Sequence, residues 1–322
     1  MWSNILRANF DGLASTACPN PPLAAEGDGS TAYLTGKRVT ALQYTTETIT
    51  VNCVDIHGGR QESMEADLVI GADGIHSTVR RLVDAPVTKQ YAGYVAWRGT
   101  IPENSVSKET VEYLSDHLSL QFSKRTYLVC YIIPTDAGNF EPGKRLLNWV
   151  WYYNLAQDSA EMTDIFTDIT GKLHHNTVPR GFVRPEIWEQ CRGELLPRIS
   201  GPFRELLQKT SNPFVTKIHD AICTTASFYD GKVVLVGDAF TTLRPHLGAA
   251  TEQAAFHSNM LEEVYHGKKT PEEWSFGVRR FAQRIILLNK IIAELGTGTT
   301  FSLLKSVLFY IVFLIKLRFK RN

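Results

Sequence analysis

The stretch "KVVLVGDAFTTLRPHLGAATEQAA", Lys232 to Ala255, decides how the chain is read. An aliphatic run, Val233 to Val236, stops at Gly237-Asp238. Such a run suits a parallel strand covered on both faces. In open α/β sheets, ligands bind beyond the carboxyl ends of these strands. An aspartate there can accept hydrogen bonds from the hydroxyls of a bound polyol. Gly237 removes a side chain where ligand and backbone approach. A helix is expected after Gly248, and its free N–H groups suit a phosphate or an anionic ring. An aspartate at a strand end also serves as a turn or cap former. The stretch alone leaves both roles open.

A second segment repeats the logic. "DLVIGADGIHSTVRR", Asp67 to Arg81, reads as a strand at Leu68–Ile70, then Gly71, Asp73 and Gly74, then a helix. Ser77 or Thr78 is the expected N-cap, with Arg80 and Arg81 one turn later. Arg80 also reads as an ordinary solvated helix charge. Two strand–Gly–Asp–helix units around one β-rich segment are more specific than either alone.

The flanking sequence supplies the frame. Residues 38–44 and 47–54 alternate like strands. Residues 91–154 are β-rich with alternating aromatics, among them Tyr94, Trp97, Trp149, Trp151 and Tyr153. These either cover a bound ring or fill a core. Residues 156–210 and 271–295 read as helical, and residues 17–31 as a loop. "MWSNILRANFDGL" reads as an amphipathic helix with Trp2, Ile5, Leu6 and Phe10 on one side, and not as a signal peptide.

Composition narrows the class. The 322 residues fit about two domains. Hydrophobic content of 43% and charged content of 21% are globular values. A net charge of +1 gives no reason to expect nucleic acid. The 5 cysteines form no CxxC pair, so no metal site is expected and a reducing compartment is. At the C-terminus, Ser306–Ile315 is uncharged, with Lys305 before it and Lys316, Arg318, Lys320 and Arg321 after. Residues 301–322 are read either as a membrane anchor, lying on the surface or spanning, or as a buried terminal helix with a basic solvated end. The expected location is cytoplasmic, with membrane association through this tail.

These motifs resemble those of a known family. "DLVIGADGIHSTVR" is similar to the DG motif, and "GDAFTTLRPHLGAATEQAA" to the GD motif, of the single-component FAD aromatic hydroxylases of the para-hydroxybenzoate hydroxylase type. Arg244-Pro245-His246 and "YAGYVAWRG", Tyr91–Gly99, resemble the 2,6-dihydroxypyridine hydroxylase-like branch. The resemblance covers about residues 1 to 285 and implies a mixed α/β fold. A partial Rossmann-like FAD-binding domain (1–84 and 216–266) would carry an inserted β-sheet substrate domain (85–215) and C-terminal helices (267–322). It also implies roles. Asp238 would accept from the ribityl hydroxyls of FAD. Gly237, Pro245 and Gly248 would shape the approach to pyrophosphate and isoalloxazine. Gly71, Asp73, Gly74 and Arg80 would belong to the motif linked to FAD and NAD(P)H. His246 would lie beside the flavin and tune it, or a phenol, near neutral pH. The implied reaction hydroxylates a small aromatic molecule with NAD(P)H and O2 through a hydroperoxyflavin.

The sequence also departs from that family. It contains no strand–GxGxxG–helix segment to seat the ADP half of FAD. It has Phe240-Thr241 where Ala-His is usual, and Ala250 where glycine is common. On this reading the chain grips the riboflavin end of FAD and binds the whole cofactor weakly. A non-catalytic remnant serving as a binding module is the alternative, and a membrane-tethered redox partner a third reading.

Overall fold

The computed structural model describes residues 2–319; Lys320 and Arg321 of the basic terminus lie outside them, as does the side chain of Trp2. The chain opens with α1 (Trp2–Asp11), then β1 (Lys37–Tyr44), β2 (Ile49–Asp55), β3 (Gln61–Ala66), β4 (Val69–Gly71) and α2 (Thr78–Leu82). Next come β5 (Val87–Pro102), α3 (Lys108–Leu114), β6 (Ser119–Ser123), β7 (Thr126–Ile133) and β8 (Leu146–Asn154). A helical stretch follows with α4 (Ala160–Phe166), β9 (Thr177–Val178), α5 (Pro185–Leu195) and α6 (Gly201–Lys209). The last part holds β10 (Phe214–Cys223), β11 (Ser227–Phe228), β12 (Val233–Leu235), β13 (Thr241–Thr242), α7 (Ala250–Tyr265), α8 (Pro271–Thr297) and α9 (Thr300–Phe319).

Two compact units form: Met1–Thr35 with Tyr94–Lys217, and Gly36–Gly93 with Ile218–Asn322. The chain passes between them after Thr35 and again inside β5 and β10. Residues 1–35 therefore group with the β-rich segment, although the sequence reading assigned them to the first FAD-binding part. They contain no sheet strand; α1 folds onto its own loop, with Arg7 3.7 Å over the Tyr33 ring. Leu6 and Phe10, which the sequence places on one side of α1, are exposed, and Ala8 is buried.

In the first unit β8 lies between β5 and β7, antiparallel to both, with Trp151 opposite Trp97 and Leu128. Alternation in β8 sends Trp149 and Trp151 to one face, where Trp188 of α5 meets them. The Trp149 and Trp188 rings stack with centroids 5.7 Å apart. Three of the indole N–H groups have an oxygen: Trp149 donates to Thr210 Oγ1 at 2.9 Å, Trp151 to Thr126 Oγ1 at 2.7 Å and Trp188 to the Thr210 carbonyl at 3.2 Å. That of Trp97 is buried without a partner among the described residues. Trp97, Trp149 and Trp151 are thus core residues and not an open ring cover. Gly99 is demanded here, since a Cβ would stand 2.7 Å from the Trp149 ring.

The second unit holds the two glycine-acid turns. β4 and β12 pair in parallel, Val69 with Val233 and Gly71 with Leu235. The Val236 N–H extends the ladder to the Gly71 carbonyl at 3.0 Å. β12 is buried along its whole length, as its aliphatic run requires. Val79 and Val83 of α2 and Trp274, Val278 and Ala282 of α8 belong to the same core. α8 starts with a capping box between Thr270 and Glu273 and with Pro271 in its first turn. β1, β2 and β3 form a separate antiparallel sheet. The polar "QESMEA" of β3 shows no apolar alternation, which hid it in the sequence; as an edge strand it tolerates that composition.

Gly71 sits where the parallel pair meets α2. A Cβ there would fall 2.8 Å from Leu235 Cδ2 and 2.9 Å from Val79 Cγ1. Overpacking of this kind costs about 1–3 kcal/mol. Gly71→Ala is therefore expected to lower the urea-unfolding free energy by about that amount. An unchanged midpoint would show that β4 and α2 part freely.

Candidate functional site

The loop from Gly237 to Gly248 is irregular: a 3-10 turn at Gly237–Ala239, a two-residue strand and a second 3-10 turn at Pro245–Leu247. Irregular backbone that is partly buried needs partners for its amides and carbonyls. Side chains from three surrounding helices supply them, and one from β10 holds the loop's Arg244.

Arg80 is the first. It is 4% exposed, so the solvated-charge reading does not hold. Its guanidinium donates to the carbonyls of Ala239 at 2.8 Å and Asp238 at 3.3 Å. The other arm donates to the Ile75 carbonyl at 2.6 Å. One cation thus ties the DG turn to the GD turn through charge-assisted hydrogen bonds.

The helices supply the rest. On α7, Gln253 donates to the Thr241 carbonyl at 2.8 Å, and His257 Nδ1 accepts the Gly237 N–H at 3.1 Å. That bond makes Nδ1 the acceptor and puts the imidazole proton on Nε2. Burial pushes the His257 pKa down to about 4, so the ring is neutral at physiological pH. On α8, Asn289 Oδ1 accepts the Leu247 N–H at 3.1 Å. From β10, Asp220 takes two hydrogen bonds from Arg244, at 2.8 and 2.6 Å. The sequence reading named none of Asp220, Gln253, His257 and Asn289. The available signal was a polar residue in an otherwise apolar helix face: Gln253 and His257 four apart, and Asn289 within "IILLNKII".

On this framework stand the residues that the sequence did single out. Asp238 is half-buried at the carboxyl end of β12. Burial raises its pKa, and among the described residues no hydrogen bond reaches its carboxylate. Gly237 and Gly248 both adopt the left-handed region, with φ of 54° and 63°. No atom lies within 4 Å of a Cβ built on Gly248. α7 begins directly behind it with no side-chain cap on its first amides. His246 is pushed down to about 3 by burial and then by Arg244. It therefore stays neutral near pH 7. Asp73 is occupied within its own turn: it accepts the N–H groups of Thr78 and Val79 at 2.6 and 3.0 Å and the Ser77 hydroxyl. It caps α2 and fixes the turn made by Gly74, whose φ is 74°.

An extended polyol-diphosphate with a ring fits these residues. The Asp238 carboxylate lacks a partner, and Gly248 leaves open space before uncapped amides. Thr241, Thr242, Gln253, His257 and Asn289 also keep buried polar atoms without partners around this loop. Unsatisfied buried groups are uncommon, and each calls for an explanation. Among the described residues no cluster of three or more His, Cys, Asp or Glu is arranged for a metal ion.

A family model described as FAD binding domain-like matches residues 91–220, the β-rich segment between the two turns. The chain is 31% identical over 268 residues to 2,6-dihydroxypyridine 3-monooxygenase of Paenarthrobacter nicotinovorans, covering 82% of this chain. It spans 64% of that relative's length. The solved 2,6-dihydroxypyridine-3-hydroxylase from Arthrobacter nicotinovorans matches with TM-score 0.68 at 29% identity, over 84% of this chain and 67% of that one. Klebsiella pneumoniae HpxO complexed with FAD and uric acid matches in fold, with TM-score 0.57 and 18% identity over 86% of this chain and 62% of that one.

The support of the Gly237 amide by His257 has a measurable signature. Asn at 257 can present an oxygen near the position of Nδ1, whereas Leu cannot. His257→Leu leaves a buried amide unpaired, a loss of about 1–3 kcal/mol. His257→Asn is expected to recover part of that stability in thermal unfolding. Equal losses in both variants would assign His257 to packing alone.

Proposed function

We propose, for a chain whose relatives in sequence and fold are FAD-dependent aromatic hydroxylases, that it binds FAD at the Gly237–Gly248 loop and hydroxylates a small aromatic or phenolic molecule with NAD(P)H and O2. The observation that carries this reading is the unpartnered, half-buried Asp238 carboxylate at the end of a parallel strand. Asp238 would accept from ribityl hydroxyls. Gly248 and the first amides of α7 would admit the pyrophosphate and the edge of the isoalloxazine. FAD, when bound, supplies the oxygen-activating chemistry.

The chain's own residues bind, orient and hold protons. Arg80 and Asp73 act one step back from the cofactor, since their polar atoms are taken by the two turns. Gly71 allows the strand, α2 and the GD strand to close together. His246 supplies a neutral imidazole, able to donate or accept a hydrogen bond without adding charge beside an electron-rich ring. In the β-rich unit Arg98 has a buried Nε without a partner among the described residues. It also counters part of the burial that raises the Tyr152 pKa. These groups suit an aromatic substrate bearing an acidic hydroxyl.

Two measurements on Asp238 test the cofactor assignment. Asp238→Ala is expected to weaken FAD binding by about 1.5–3 kcal/mol, the range for a hydrogen bond to a charged group. Intact folding with unchanged affinity, read by flavin fluorescence, would place the ribityl contact elsewhere. Stability should move the other way. Burial raises the folded pKa of Asp238 above its unfolded value, so ionisation at neutral pH opposes folding. Asp238→Asn should therefore raise the melting temperature of the FAD-free chain at pH 7. The gain should shrink as pH falls into the carboxylate range, where wild-type Asp238 is protonated too.

The activity itself is checked by supplying FAD, either NADH or NADPH, and a panel of dihydroxypyridines and phenols. Substrate-dependent NAD(P)H oxidation with formation of hydroxylated product is the expected outcome. Tight FAD binding with no hydroxylated product from any ring would favour a flavin-binding module instead.

A further inference from the structure

The tail was left with two readings, and α9 separates them. α9 turns back from α8 at Gly298-Thr299, where Thr299 Oγ1 accepts the Ser302 N–H at 3.2 Å and starts the new helix. It packs along α8 with one face: Ser306 is buried, and Leu303, Tyr310, Phe313 and Leu317 are partly covered at helical spacing. The opposite face is apolar and bare. Phe301 is 78% exposed, Leu304 63%, Leu308 58%, Ile315 50% and Phe319 75%. A buried terminal helix is therefore not what forms. An apolar face of this length left in water marks a contact surface.

The charges say what kind. From Thr299 to the end the sequence carries Lys305, Lys316, Arg318, Lys320 and Arg321 and no acidic residue. That pattern complements an anionic headgroup layer. It offers no charge complementarity to a second copy, which would bring the same cations. By length and composition α9 alone would suffice to cross a membrane, but one of its faces packs against α8. Lys305 also leaves an uncharged run, Ser306–Ile315, of only about 15 Å at 1.5 Å per residue, half of a ~30 Å hydrocarbon layer. α8, packed alongside, also carries Arg279, Arg284 and Lys290. Lying in the plane satisfies both helices: α8 takes the inward side that in a lone amphipathic helix would be polar.

We propose that the α8–α9 hairpin docks on an anionic membrane surface, with the outward face of α9 seated at the headgroup–acyl boundary. The site is independent of the flavin reading and is tested without it. The full chain is mixed with phosphatidylcholine vesicles, or with phosphatidylcholine–phosphatidylglycerol vesicles, and floated on a density gradient. It is expected to rise with the anionic vesicles and to partition more weakly onto neutral ones. Lys316→Gln with Arg318→Gln should reduce partitioning on the anionic vesicles roughly thirtyfold, about fivefold per cation, and change little on neutral ones. Leu308→Ser, Ile311→Ser and Ile315→Ser together should abolish flotation on both. All three positions are exposed, so the far-ultraviolet spectrum should be retained. A parent chain that stays in the soluble fraction with both vesicles overturns the proposal. So does a triple-serine variant that floats as well as the parent. A dimer of the parent that the serine changes dissolve, with no flotation, would assign the face to a second copy.

Discussion

A single buried guanidinium holds the two glycine-acid turns of the second unit in register. Arg80 reaches carbonyls on both glycine-acid turns, which lie 159 residues apart where it meets Ala239. A carbonyl beyond the end of a strand cannot pair within the sheet, and if it is shielded from water it needs another donor. Arg80 supplies several donors from one rigid plane. Lysine, with one compact head, could not reach the same set. The parallel pairing of β4 with β12 brings the turns near each other, and Arg80 then fixes their mutual position. Asp238 inherits its place from that contact: its carbonyl is held, and its carboxylate is left free.

The loop is built in two layers. Below lie groups committed to structure, namely Arg80, Asp220, Gln253, His257 and Asn289, each holding a backbone group or, for Asp220, the Arg244 side chain. Above lie groups with little to do in the isolated chain: a carboxylate without a partner, two left-handed glycines and a set of uncapped amides. Their fixed positions are what the proposed polar ligand would find already oriented. The low pKa of His257 belongs to the lower layer. A protonated ring there would lose its acceptor for the Gly237 amide, and the dry surroundings of Phe240 and Trp274 prevent that.

Much of this was legible from sequence because its determinants are local. The aliphatic run before Gly237, the Val-Ile-Gly run before Asp73, and α7 and α8 all appear where periodicity and glycines put them. Ser77 is the N-cap, accepting the Arg80 N–H at 2.9 Å. What escaped was long-range. Asn289 serves an amide 42 residues away and Asp220 a guanidinium 24 residues away, and no local pattern announces such pairs. Asp73 was legible as important but not in its use, since a carboxylate looks the same in a cap and in a ligand site. The tryptophans of the β-rich unit were ambiguous for a related reason: alternation places them on one face without saying what covers it, and Trp188 of α5 does. His246 was recognised by its neighbours, but its protonation state follows from burial and Arg244, which only the fold reveals.

The insertion of the β-rich unit between the two turns has a consequence for biosynthesis. As the chain emerges, β4 and α2 are made early and β12 late. Residues 94–217, almost all of one compact unit, intervene. Until Val233 appears, the inner edge of β4 has no parallel partner and Arg80 has only the Ile75 carbonyl. The intervening unit, rich in short-range antiparallel pairing, can gather first, because local contacts close at smaller entropic loss than distant ones. The unit that carries the proposed cofactor loop is thus completed last. Its closing step is the arrival of Asp238 and Ala239 at a waiting guanidinium.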